Sequence, residues 1–190
     1  MFKRFSVEDL KKDGRIKDTL YFIIVIALTH ILWKLLITGD ENGHQISIAG
    51  KDVTGFFYNI SLSTADISWR TLHYIFGLDF KLNGVEIILG NNNSVTIIWA
   101  CSAMKQIWMF ICLILFYRKA AWKKRILYAL FGCLALEIFN IIRIDMVAYG
   151  SYINRDYFDF LHKTTQYGFY VVMFFLWILW LEKVIPDKKR

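Results

Sequence analysis

The stretch ILYALFGCLALEIFNIIRI, residues 126–144, decides the fold. Apart from Glu137, Asn140 and Arg143 it is apolar around the whole helical circumference, so a helix built from it has no polar face to turn to water. Such a helix reaches roughly 28 Å at about 1.5 Å per residue, close to the ~30 Å of bilayer hydrocarbon. A helix is also the form in which an isolated run satisfies its own backbone groups in lipid. The run predicts a membrane span.

Three further runs read the same way, over 20–37, 97–117 and 167–185. The predicted fold is an all-α polytopic membrane protein of about four transmembrane helices, forming one integral membrane domain over 1–190. Composition agrees: the 190 residues are 56% hydrophobic, 17% aromatic and 21% charged with one proline, an apolar excess that a water-soluble domain of this size cannot hide. Soluble enzymes and disordered regulators are disfavoured. The net charge of +7 suggests a nucleic-acid binder only until the basic residues are placed between the apolar runs, so no nucleic-acid partner is expected. The tail before the first run holds Asp9, Asp13 and Asp18 and no small-residue cleavage site, which predicts a retained span and not a signal peptide. Cys101, Cys112 and Cys133 form no CxxC pair, and His30, His44, His73 and His162 lack ligand spacing. No metal or organic cofactor is expected.

Fifteen of the 23 Lys and Arg lie in the N-terminal tail, the 118–125 connection and the C-terminal tail, against six in the two other connections. Basic residues in short flanks mark the cytoplasmic side, so both termini are expected there, and the long loop 38–96 on the outer face. A loop of that length should carry structure of its own. Residues 53–76 mix Phe56, Phe57, Ile60, Leu62, Ile67, Trp69, Leu72, Ile75 and Phe76 with Asp52, Asp66 and Arg70 nearby, which predicts one or two amphipathic helices at the membrane surface. Asn83-Gly84, between β-prone runs, predicts a two-residue hairpin turn with both residues at positive φ. Strands near 80–82, 85–89 and 95–99 would make a small meander with a second turn over 90–94, leading into Cys101.

With this topology Cys101 lies at the outer start of the second span, Arg143 at the outer end of the third and His162 just before the fourth. Groups at one level of a helical bundle, with neighbouring axes about 10 Å apart, converge on one site. Ser102 would cap the helix after Cys101, and a thiolate there is favoured by the helix dipole and by Lys105 and Arg143. A small buried hydrophobe is the competing reading of Cys101. His162 suits proton transfer, or simply anchors a helix end. Arg143 is either an oxyanion or carboxylate holder or a head-group anchor. Asn140 and Glu137 extend a polar stripe below Arg143, and Glu137 is expected to pair with His30, Lys34 or Arg143 as support for the site.

The segment 95–103, VTIIWACSA, then Asn140-Ile-Ile-Arg143-Ile144, then His162 with Gly168 downstream, resembles the exosortase and archaeosortase family of membrane transpeptidases, and within it the small bacterial subgroup. The likeness runs over about 78–181. It implies a catalytic set of Cys101, Arg143 and His162. It implies a cysteine peptidase or transpeptidase of the bacterial inner membrane, acting at its periplasmic face. The expected partner is an exported protein whose C-terminal sorting signal combines a short motif, a transmembrane helix and a basic tail. A thioester on Cys101 would then pass to water, or to an amine or glycan acceptor, with membrane lipid around the site. Ala103 stands where the family usually has Gly, which adds a methyl near the nucleophile and would narrow or re-aim the pocket. Two other functions compete: a thiol-dependent lipid or protein acyltransferase, and a non-enzymatic membrane scaffold. A four-span disulfide oxidoreductase is weaker, because it needs cysteine pairs on the outer face.

Overall fold

The computed structural model describes residues 14–39, 45–90 and 93–185. Lys3, Arg4, Lys11 and Lys12 of the basic tail, His44, Asn91 and Asn92 of the expected 90–94 turn, and Asp187 to Arg190 lie outside the described residues.

Among the described residues, three helices are long and apolar enough to cross a membrane. Helix α1, Gly14–Leu36, exposes Leu20, Ile23, Ile24, Leu28, Ile31 and Leu35, and only 11% of its apolar window is buried against protein. That much uncovered hydrocarbon, on a helix of this length, fits a lipid surround. Two later helices, here α4 and α5, form an antiparallel hairpin: Trp122–Ile153 and Tyr157–Leu179, the second continuing through a π turn, Trp180–Val184. Along α4 the residues Leu127, Leu130, Leu134, Ile138 and Ile142 are exposed, while Ala129, Gly132, Leu136, Asn140 and Arg143 point inward. The helix is therefore apolar outside and selectively polar inside, as a lipid-solvated helix requires.

The expected second span is shorter than its predicted bounds. Residues 97–117 yield a thirteen-residue helix, α3, Met104–Phe116, about 20 Å long, which runs from the Cys101 turn to the end where Tyr117 and Lys119 meet Asp18. Its Met109, Phe110, Leu113 and Ile114 are wholly buried among the other helices. The run is apolar because protein surrounds it, and hydrophobicity alone does not separate that case from lipid exposure. Conversely, α4 and α5 run past their expected limits of 144 and 167, so Arg143 and His162 lie within helices and not at their ends. The connection shrinks to 154–156, where the Asp156 N–H donates to Asn154 Oδ1 at 3.0 Å. Gly132 lets α3 and α4 approach closely; a Cβ there would fall 1.9 Å from the Phe110 ring. At the opposite end of the bundle from the Cys101 turn, Asp18 accepts from the Tyr117 hydroxyl at 2.6 Å and pairs with Lys119 at 2.7 Å, tying α1 to the α3–α4 connection.

The long loop is structured. A first sheet, unforeseen from sequence, pairs β1 (Ile37–Gly39), β2 (Ile46–Ile48) and β3 (Lys51–Asp52), with Ala49 and Gly50 both at positive φ in its turn. One helix, α2, Thr54–Arg70, follows, extended by a π turn, Thr71–Ile75. The Thr54 N–H and hydroxyl donate to Asp52 at its start and hold that carboxyl below the usual carboxylate range. The face α2 buries is small and hydroxylated (Ser61, Thr64, Ala65, Ser68 beside Phe57), while Phe56 and Ile67, with Ile75 and Phe76 beyond, are exposed. The helix thus presents its large apolar residues away from the protein.

The expected meander is present as β4 (Lys81–Asn83), β5 (Glu86–Ile88) and β6 (Ser94–Thr96), antiparallel in that order. Asn83 pairs with Glu86, so the turn residues are Gly84 and Val85, one position later than expected, and only Gly84 has positive φ. Glycine at the first of two turn positions meets that demand without a Cβ clash. The third strand stops at Thr96, short of Trp99. Phe80, Ile87, Leu89, Val95 and Ile97 pack with Ile144 and Ala148 of α4. Buried Ser68 donates to Asp145, joining α2 to the same part of α4.

Candidate active site

The nucleophile candidate sits where strand becomes helix. After β6 the chain makes a 3-10 turn, Trp99–Cys101, in which the Cys101 N–H donates to the Ile98 carbonyl at 2.8 Å. The buried Ser102 hydroxyl donates to the Trp99 carbonyl at 2.6 Å, so it closes this turn and does not cap α3 as expected. The cap position belongs to Ala103, in the left-handed region at φ 54 and ψ 4. A methyl-bearing residue is strained there by about 1 kcal/mol, whereas glycine is at ease. The position that calls for glycine is thus a backbone position. Ala103 is absent from the residues that line the pocket, so its methyl does not narrow it.

Cys101, Arg143 and His162 line one pocket of about 30 Å³, together with Val95, Thr96, Ile97, Ile144, Val147 and Phe158. That volume is about the share of one water in the liquid. Cys101 is half-buried, reached from the meander; Arg143 comes from the inner face of α4 and His162 from α5. Arg143 is 5% exposed, its guanidinium 5.6 Å from the Phe169 ring centroid and within electrostatic and hydrogen-bonding reach of the Cys101 thiol. The pairing supplies the fixed positive charge that a thiolate or a developing oxyanion needs. The His162 ring stacks on Phe158 at 5.6 Å and 11°, with Arg143, Asp159 and Lys163 as its charged neighbours. No thiol–imidazole hydrogen bond is formed among the described residues. Proton transfer would need a small movement or one bridging water.

Asn140, one turn before Arg143, is fully buried with neither side-chain nitrogen nor oxygen hydrogen-bonded, and Arg143 Nε is likewise without a partner. Buried polar atoms without a protein partner are uncommon in folded proteins, and these two residues sit one turn apart on the inner face of α4. Glu137 is corrected: among the described residues it makes no ion pair with His30, Lys34 or Arg143. Six residues of helix put Glu137 about 120° round from Arg143, and α1, which carries His30 and Lys34, packs chiefly on α3. Lys105 likewise faces Lys34 and His30 and lies outside the pocket.

A second hollow was missed from sequence. A cavity of about 510 Å³ lies beyond the pocket, lined by Asn93, Ser94, Ser151, Arg155, Asp156, Phe158 and Asp159. Phe158 borders both. Its only signal in the sequence is the polar cluster of 151–159, which reads as an ordinary connection.

A family model described as transmembrane exosortase matches residues 53–181, about two thirds of the chain, from the residue before α2 into the π turn that follows α5. Cys101, Arg143 and His162 all fall inside the match; α1 and the first sheet fall outside. No curated protein and no solved structure matches the chain.

Proposed function

We propose that this chain, which belongs to the transmembrane exosortase family, is a cysteine peptidase or transpeptidase of the bacterial inner membrane that cuts C-terminal sorting signals of exported proteins at the periplasmic face. The observation that carries this reading is the meeting of Cys101, Arg143 and His162, from three separate segments, around one pocket. The Cys101 sulfur attacks the scissile carbonyl carbon as its proton passes to the His162 imidazole. The carbonyl oxygen becomes an oxyanion facing the Arg143 guanidinium, and the unpaired atoms of Asn140 lie one helical turn deeper on the same face. When the tetrahedral species collapses, the C–N bond breaks and His162 returns its proton to the departing amine. The thioester left on Cys101 is then attacked by water or an amine acceptor, whose proton His162 removes.

The distribution of basic residues supports this reading, with both termini in the cytoplasm and the pocket on the far side. The substrate's membrane helix would approach laterally through lipid, its basic tail inward. Mass spectrometry of a co-expressed exported protein bearing a C-terminal helix and basic tail tests the reading. A new C-terminus made by the parent chain, and absent with Cys101→Ala, is expected; the same product from both would sink it.

A further inference from the structure

In the sheet order β4-β5-β6 the last strand has a single neighbour. The Leu89 N–H donates to the Asn93 carbonyl and the Ile97 N–H to the Val85 carbonyl, so Asn93 and Ile97 face β5. An antiparallel ladder alternates with period two, so Val95 also faces β5 while Ser94 and Thr96 direct their backbone groups to the free edge. No described residue hydrogen-bonds those outward groups. Ser94 and Thr96 are exposed, whereas Val95 and Ile97 are anchored in the core. Open edges are usually blunted by charge, proline or a bulge, and Ser-Val-Thr supplies none of these.

Both hollows lie along this edge. Asn93 and Ser94 border the 510 Å³ cavity, and Val95, Thr96 and Ile97 border the pocket of Cys101. The edge therefore leads from a roomy polar chamber to the thiol. We propose that an extended segment of the exported substrate adds to the free edge of β6 as a further strand, with its acyl-side residues in the polar cavity and its scissile carbonyl at Cys101. This rests on the peptidase reading above and names how that site grips its substrate. Main-chain pairing gives affinity without regard to side chains, while the flanking hollow selects among them. Ser151, Arg155, Asp156 and Asp159 suit polar side chains there. With its exported part outward and its membrane helix inward, the segment runs parallel to β6.

The double variant Ser94→Pro/Thr96→Pro removes both outward N–H groups and spares the bonds to β5, because proline is tolerated on an edge whose N–H points away from the ladder. In membranes of the full chain, two quantities are read: cleavage of a co-expressed exported protein ending in a transmembrane helix and basic tail, and alkylation of Cys101 by iodoacetamide. Cleavage should fall at least tenfold while alkylation stays within twofold of the parent. Cleavage at the parental rate would overturn strand addition and leave the thiol reading standing, whereas parental-rate cleavage by Cys101→Ala would overturn the peptidase reading itself. Peptides spanning the cut site, tested as competitors of the unaltered chain, avoid any folding defect of the prolines. N-methylation of one alternate set of backbone amides should abolish competition and the other set should leave it, and equal competition by both sets would refute the pairing.

Discussion

Arg143 carries two features that a head-group anchor lacks: near-complete burial and a position against the Cys101 thiol. Its fork is held by the Phe169 face, so geometry as well as charge is at stake. Arg143→Lys should express normally yet lose about 100-fold in turnover, the scale of removing one oxyanion donor; activity within threefold of the parent would reduce the residue to a local positive charge. Ala103 makes a separate case. Relief of its left-handed backbone in Ala103→Gly should raise stability in detergent by about 0.5–1 kcal/mol, read as a higher melting temperature, and an unchanged or lower value would contradict the strain. The meeting of Cys101, Arg143 and His162 was legible from the segments 95–103 and 140–144 and from His162 downstream, although Arg143 and His162 lie within helices and not at the expected ends, and the other six lining residues were not foreseen. Ser102 was misplaced because the 3-10 turn that its hydroxyl closes is not visible in residue type, whereas the angle between 137 and 143 was readable from their six-residue spacing.

Among the elements, α3 holds the Cys101 turn against α4. Its contact at Gly132 leaves no room for a side chain, and Phe110 on the other side is fully buried. Gly132→Ala should cost about 2 kcal/mol by overpacking, and a melting temperature within one degree of the parent would show that the helices can part freely. The long apolar helices α1, α4 and α5 were readable because lipid demands apolar residues all round. The bounds of 97–117 were misread because the strand and 3-10 turn ahead of Met104 are short. The meander was legible from Asn83-Gly84 to within one residue, since glycine marks the turn but not which of its positions it occupies. The first sheet had no comparable signal: its strands are two or three residues long.

At the scale of the molecule, two apolar clusters meet beside the pocket. One fills the bundle around Phe110, Phe169, Trp177 and Trp180, and the other joins the meander and α2 to the outer part of α4. Cys101 packs on the second cluster, while Arg143 reaches across to Phe169 of the first. Such an arrangement puts the thiol at the boundary between the helical bundle and the cap formed by the meander and α2. Reporter fusions at Gly50, in the turn of the first sheet, should accordingly be periplasmic, and fusions within 118–121 cytoplasmic; a cytoplasmic Gly50 would reverse the face assigned to the pocket. The polar cavity escaped sequence reading because residues 93–94 and 151–159 come together only when α4 continues to Ile153 and turns within three residues.

The most direct measurement of the central claim is capture of the acyl-enzyme. The chain is acid-quenched during turnover of a co-expressed exported protein with a C-terminal helix and basic tail, then denatured at low pH and mapped by mass spectrometry. The account predicts a thioester between the substrate's new C-terminal carbonyl and the Cys101 sulfur, lost in Cys101→Ala and enriched when the acceptor step is slowed. An acyl group on Cys112 or Cys133, or undiminished cleavage by Cys101→Ala, would contradict it.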